Sequence, residues 1–254
     1  MNTYEWGEPG APPVVCVHGV TGHGRRFRKL AEERLAHRFH VVAVDLRGHG
    51  FSTWDEPWDI AAHVADLLDT VEEPADWIGH SFGGRLTMQI AAVRPDLVRR
   101  AVLLDPAIFV PPFHAKELAE EARREESYHS VDEALEARIV RSGLAHTPRA
   151  ILEEEIEQHC VEREDGRLGL RYSYDCVGEA YMQMATPPPA FAGLRMPTLM
   201  IVGSLSKLVS AGEVELYRRA LGELFTLEVV PGGHSVLWDA YEETAAAIDA
   251  FLEA

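Results

Sequence analysis

The sequence predicts an α/β fold in which a mostly parallel central sheet is flanked by helices and interrupted by a mainly helical insertion. Three observations carry that prediction. Short apolar, β-branched runs recur without the alternation of a half-exposed strand, as a sheet covered on both faces requires. Segments with helical spacing separate them, and strand alternating with helix argues for parallel strands joined by right-handed crossovers. The alternation lapses between 107 and 195, where the chain turns acidic and alanine-rich, and then resumes.

Taken in order, the first strand is residues 14–18 (VVCVH), followed by a helix over 24–36 and a second strand over 41–45 (VVAVD). A helix over 60–71 leads to a short strand at 77–79, and a helix over 81–93 leads to the strand 101–105 (AVLLD). Residues 107–195 then carry helical stretches such as AKELAEEARREES and AILEEEIEQHCVERE, bounded by PAIFVPP and by Pro187-Pro188-Pro189. Strand character returns at 198–202 (TLMIV) and 226–230 (TLEVV), with helices over 211–221 and 240–252. The organisation is therefore a core of 1–106 and 196–254, with 107–195 inserted as a helical cap, or lid. The competing reading of the insertion is a set of solvated surface helices.

A chain of 254 residues with 46% hydrophobic content can bury one sizeable core. Its formal charge of −17 argues against a nucleic-acid backbone or an anionic membrane as partner, because both would be repelled. Cys16, Cys160 and Cys176 are odd in number and far apart, so a disulfide framework is not indicated and a reduced, cytoplasmic setting is expected. The first residues lack a basic region followed by an apolar stretch, and no run approaches a membrane span. H-E-x-x-H is missing, and Gly48-His49-Gly50 lacks the lysine and spacing of a phosphate loop. No metal or organic cofactor is expected, and the expected partner is a small-molecule substrate.

The stretch DWIGHSFGGR places Ser81 between Gly79 and Gly83, where an expected strand passes into an expected helix. That is the context in which G-x-S-x-G presents a reactive hydroxyl: the glycines remove side chains that would collide with the neighbouring strand and helix. A helix N-terminus there also favours developing negative charge.

Along nearly its whole length the chain resembles the α/β-hydrolase superfamily, on the motifs VCVHGVTG, VVAVDLRGHGFS, GHSFGG, AVLLDPA and VVPGGHSVLWD in that order. The resemblance implies the α/β-hydrolase fold, with Ser81 as nucleophile and His234, in a glycine-flanked loop, as general base. His18, His49 and His80 lie in family motifs as loop-packing residues. In many family members the acid follows the strand corresponding to 198–202, but here that loop reads GSLSKLVS, with Ser206 or Lys207 where an aspartate is expected. A neutral or cationic residue cannot stabilise an imidazolium. Asp105 is the preferred substitute, because it ends the strand immediately after the nucleophile's helix, where some superfamily members place their acid, and it preserves the order Ser81, Asp105, His234; Glu213, Glu215 and Asp239 are the reserves. The alternative for Asp105 is a turn-capping role.

The oxyanion hole is expected from the backbone N–H groups of Phe82 and Val20. The pocket wall is expected from Phe82, Trp58, Phe109, Phe113, Tyr181, Met182 and Met184, with Leu205 or Trp238. No arginine or lysine is expected to receive a substrate carboxylate, and Arg85 is expected to lie along its helix. The activity expected is that of a serine hydrolase cleaving small, fairly apolar carboxylic esters through an acyl-enzyme. A lactonase, a thioesterase, a carbon–carbon bond hydrolase, a non-catalytic ligand-binding member and a cofactor-free lyase or perhydrolase remain as alternatives.

Overall fold

A computed structural model describes residues 1–141, 144–191 and 194–253. Its strands are β1 (Asn2–Trp6), β2 (Pro13–Val17), β3 (His40–Asp45), β4 (Ala75–His80), β5 (Val98–Leu104), β6 (Cys160–Glu162), β7 (Leu168–Leu170), β8 (Thr198–Gly203) and β9 (Phe225–Val230). Its helices are α1 (Arg28–Leu30), α2 (Ile60–Thr70), α3 (Phe82–Val93), α4 (Pro112–Ala122), α5 (Val131–Arg141), α6 (Arg149–His159), α7 (Tyr174–Met184), α8 (Ala211–Leu221), α9 (Val236–Asp239) and α10 (Tyr241–Glu253).

One sheet runs in the order β1-β3-β2-β4-β5-β8-β9. From β3 to β9 the neighbours pair in parallel, while β1 lies antiparallel on β3, with Tyr4 opposite Ala43. The six expected strands are β2, β3, β4, β5, β8 and β9. The edge strand β1 was not foreseen, because its half-buried NTYEW carries no continuous apolar run.

Both faces of the sheet are buried, which is why its strands read as unbroken apolar runs. In β2, Val15 and Val17 face a core with Leu67, Phe82, Leu86 and Tyr217, while Val14 and Cys16 face a second core with Phe27, Leu30, Ile248 and Leu252. Each such fully buried aliphatic or aromatic side chain contributes about 1.5–3 kcal/mol.

The helix starts follow local chemistry. The Asp59 carboxylate accepts the Ala62 N–H to cap α2, and Ser210 with Glu213 forms a reciprocal capping box at α8. The regular helix expected over 24–36 is instead a 3-10 turn (Gly24–Phe27), α1 and a wide π turn (Ala31–Leu35) in succession. Its start is pinned to the sheet: the Gly24 N–H donates to Asp45 Oδ1, and a Cβ on Gly24 would come 2.9 Å from the Val44 carbonyl oxygen.

Between β5 and β8 the chain forms α4 to α7 together with the short antiparallel hairpin β6–β7, whose strands the mainly helical reading of this stretch did not locate. This segment has an apolar cluster of its own around Leu135, Leu152, Ile156 and Tyr172. Arg85 corrects another expectation. Its buried guanidinium leaves the helix to donate to the Ile108 carbonyl at 2.8 Å and the Pro187 carbonyl at 2.7 Å, clasping the two ends of the insertion. Cys16, Cys160 and Cys176 are free thiols. Among the described residues no helix is long and apolar enough to cross a membrane.

Candidate active site

Ser81 stands at the junction of β4 and α3 with φ 53° and ψ −117°, in the left-handed half of the map where a non-glycine residue is strained. The bend is held by four backbone bonds: the Ser81 N–H donates to Leu104 O, and Ser81 O accepts from Gly84, Arg85 and Ala107. Its two glycine neighbours are required by contact. A Cβ on Gly83 would come 2.1 Å from the Val17 carbonyl oxygen, and one on Gly79 would come 2.5 Å from that of Gly83. Serine ordinarily caps a helix with its side chain, yet the Ser81 hydroxyl makes no such bond to α3. The bend therefore spends the cap position on presenting an oxygen.

Asp105 follows β5 and is also strained, with φ 41°. Its fully buried carboxylate meets three groups. Oδ2 lies 2.6 Å from His234 Nδ1 and accepts the Ser206 hydroxyl at 2.6 Å, while Oδ1 faces the Gly203 N–H at 3.4 Å. Of the carboxylates considered from sequence, Asp105 is the one that reaches His234. Asp239 accepts from the Gly233 N–H and the Thr147 hydroxyl, Glu213 caps α8, and Glu215 pairs with Arg219.

The loop between β9 and α9 brings His234 to the acid. A Cβ on Gly203 would lie 1.9 Å from the Gly233 carbonyl oxygen, so this loop and the end of β8 approach as only glycine permits. The His80 ring packs 4.7 Å from that of His234, and its Nε2–H donates to the His234 carbonyl at 3.1 Å. His18 fixes the loop after β2: Nε2 accepts the Leu46 N–H, which leaves Nδ1–H to donate to Gly19 O at 2.7 Å. Burial pushes both His18 and His80 well below the usual imidazole range, so they serve as neutral struts. Gly19 sits directly against the serine, since a Cβ there would come 2.8 Å from Ser81 Cβ.

Ser81 and His234 open onto one cavity of about 330 Å³, whose wall includes Val20. Of the expected pocket residues, Tyr181 and Met184 line it. Trp58, Phe109, Phe113, Met182, Leu205 and Trp238 do not. Phe113 and Leu205 are exposed, and Trp238 packs under the guanidinium of Arg26, 4.5 Å from its ring centre. The Phe82 side chain is buried in the core against the edge of His63, which leaves only its backbone for the site.

The wall also contains residues that the sequence did not reveal: Arg26 after β2, Arg138 on α5, and Tyr172 and Tyr174 beside α7. Arg26 lies 55 positions before Ser81 and Arg138 lies 57 after it, so no spacing pattern links them. Both donate to Glu155 Oε1 on α6, at 2.5 and 3.2 Å, tying the core loop to the insertion. Their positive charge holds the Glu155 carboxyl far below the usual range against the opposing effect of burial. His23, Glu155 and His159 gather potential ligand atoms within 4.8 Å of one another. Two guanidinium groups already hold that carboxylate, and a cation there would face both of them. We therefore read the cluster as an ionic joint between core and insertion.

The Alpha/beta hydrolase family description matches residues 14–247. Lipase LipV of Mycobacterium tuberculosis is 31% identical, over 98% of this chain and 96% of its own. The 2-(acetamidomethylene)succinate hydrolase of Mesorhizobium japonicum is 32% identical over 100% of this chain and 92% of its own. A crystal structure of E-2-(acetamidomethylene)succinate hydrolase superposes with a TM-score of 0.88 at 26% identity, over 99% of this chain and 94% of that one.

Proposed function

Because the chain belongs to the alpha/beta hydrolase family, we propose that it is a serine hydrolase cleaving small carboxylic esters through an acyl-enzyme. The observation that carries this reading is the 2.6 Å contact of His234 Nδ1 with the buried Asp105 carboxylate, beside a serine whose strained bend leaves its hydroxyl free. A carboxylate on Nδ1 keeps that nitrogen protonated, so Nε2 carries the lone pair needed to accept a proton. In the proposed reaction Ser81 Oγ attacks the ester carbonyl as His234 takes its proton. Asp105 stabilises the imidazolium, and the backbone N–H groups of Val20 and Phe82 receive the developing oxyanion. The imidazolium then protonates the departing alkoxide. Water, deprotonated by the same base, releases the acid.

The segment between β5 and β8 acts in this proposal as the cap, since Leu118 of α4, Arg138 of α5 and Tyr181 and Met184 of α7 all wall the cavity. A second reading refines the substrate. Arg26 and Arg138 place guanidinium groups in a wall that was expected to be apolar, and a relative matched over 92% of its own length is named for a succinate derivative. With Arg124 also in the wall, against Glu121 and Glu126 there, we carry as this second reading an ester bearing a carboxylate away from the scissile bond, which would share the guanidinium groups with Glu155.

The test is labelling with a fluorophosphonate probe together with turnover of p-nitrophenyl esters of graded chain length. Wild type should be labelled and active, and Ser81→Ala should be neither. An unlabelled, inactive wild type that still binds ester-like ligands would leave only a binding function.

A further inference from the structure

Arg26 belongs to the walls of three hollows. The first is the 330 Å³ cavity onto which Ser81 and His234 open. Arg26, His80 and Ser235 also line a much smaller void of about 20 Å³. Arg26, Leu237 and Trp238 line both that void and a cleft of about 70 Å³ between α1 and α6, where Arg25 and Lys29 are exposed. Solvent therefore comes within one side chain of the His234 loop without crossing the substrate cavity. Trp238 is the cover on that side. Its half-buried indole donates no hydrogen bond among the described residues, whereas the Arg26 guanidinium 4.5 Å from its ring is tied to Glu155 Oε1 and to Thr21 O.

The void is small and its wall is polar. A volume of about 20 Å³ takes one water and no larger molecule, and a buried water needs about two to four polar partners. His80 spends its Nε2–H on the His234 carbonyl, which leaves Nδ1 as an acceptor. Among the described residues, Arg26 Nη1 donates to no group, and the hydroxyl of the buried Ser235 has no hydrogen-bond partner. The wall thus offers one acceptor, one donor and one group able to be either.

We propose that this void is a water site serving the acyl-enzyme, and that it sets the acyl acceptor as water in preference to an alcohol. The water is held by Ser235, the residue that follows the base, and is replenished from the cleft past Trp238. With the acyl group in the larger cavity, this water passes to the ester carbonyl. His234 takes its proton as its oxygen bonds to the acyl carbon; the bond from that carbon to Ser81 Oγ then breaks, and the imidazolium returns the proton to Oγ. An alcohol larger than the void has to enter through the substrate cavity, which the acyl group already fills.

The proposal rests on the serine-hydrolase function above, and its test separates the two. Each protein turns over a p-nitrophenyl ester in buffer containing 1-butanol, and the ratio of free acid to butyl ester is measured. Ser235→Val, which fills the void with methyl groups, should lower that ratio about 10-fold, and Ser235→Ala, which removes one partner of the water, about fivefold. The burst of p-nitrophenol that reports acylation should stay within about twofold of wild type. A side chain that only supports the loop would slow both products together and leave their ratio unchanged. A high-resolution crystal structure of wild type should show an ordered water bonded to Ser235 Oγ. Its absence there, or a fall of less than about threefold in the ratio for the folded Ser235 variants, would overturn the proposal. Melting curves identify the folded variants, and the crystal structure carries the test if neither folds. Loss of the hydrolase reading itself would show differently, as a wild type inert to both ester and fluorophosphonate.

Discussion

Replacing Asp105 by asparagine changes the charge at the centre of the site and almost nothing of its volume. With the amide oxygen kept at the Oδ2 position, His234 and Ser206 retain an acceptor, but the negative charge is gone and the amide NH2 faces the Gly203 N–H. With the amide turned over, its NH2 confronts His234 Nδ1. The imidazole must then carry its proton on Nε2, where it cannot accept one from Ser81. Unit charges about 4 Å apart at an effective dielectric of about 20 attract by about 4 kcal/mol. Losing that from the transition state alone costs about 10³-fold in rate, and the wrong tautomer carries the loss toward about 10⁴-fold. KM should move less than about threefold, because the fully buried Asp105 is not part of the cavity wall. Steady-state turnover of a p-nitrophenyl ester measures both parameters, and circular dichroism checks that the variant is folded. A folded Asp105→Asn enzyme with kcat within 10-fold of wild type would refute the reasoning and move the acid's role to another group.

Arg26→Gln keeps an amide donor on a shorter side chain and removes the charge, so KM for esters bearing a distal carboxylate should rise about 10-fold while uncharged esters of the same length change little; equal effects on both would remove Arg26 from substrate recognition. Arg85→Ala strips the hydrogen bonds from the Ile108 and Pro187 carbonyls and should lower unfolding stability by about 2–4 kcal/mol, read as the urea midpoint, with an unchanged midpoint as the refuting result. Stability should also fall steeply with acid. Burial lowers His23 and His49 to about 4 and His63 to about 3, and holds His18 and His159 well below the usual range, whereas the unfolded chain titrates near 6.5. Because the folded values are depressed, the contribution is complete above the unfolded value and drains away as pH falls toward the folded ones. At pH 5.5 each such histidine costs about 1.4 kcal/mol relative to neutrality, and five together approach the stability of an ordinary domain. Urea midpoints between pH 7.5 and 5.5 that do not change would contradict this.

The elements most legible in the sequence are those whose physics is local. The strands of the buried sheet announce themselves because both faces are covered, so Val14 to Val17 must all be apolar whichever way they point. The serine bend is legible as a pattern because Gly79, Ser81 and Gly83 lie within five residues, although a side chain on Gly83 would collide with Val17 of the distant strand β2. The edge strand β1 and the hairpin β6–β7 escaped notice because half-exposed or three-residue strands need no continuous apolar run.

What the tertiary structure decided is which distant groups meet. Sequence could rank Asp105 above Glu213 and Glu215 only by its place at the end of the strand after the nucleophile's helix, and above Asp239 also by order along the chain. Folding separated them by geometry, bringing β5, the loop after β8 and the loop after β9 to one end of the sheet, so that Asp105, Ser206 and His234 share one oxygen. The cavity wall followed the same rule. Apolar residues chosen by type, such as Phe113 and Leu205, stand in solvent, while Arg26 and Arg138 are drawn inward by a single glutamate from a third segment. Local sterics and hydrophobic burial are written residue by residue, whereas the pairing of charges across more than a hundred positions exists only once the chain has closed on itself.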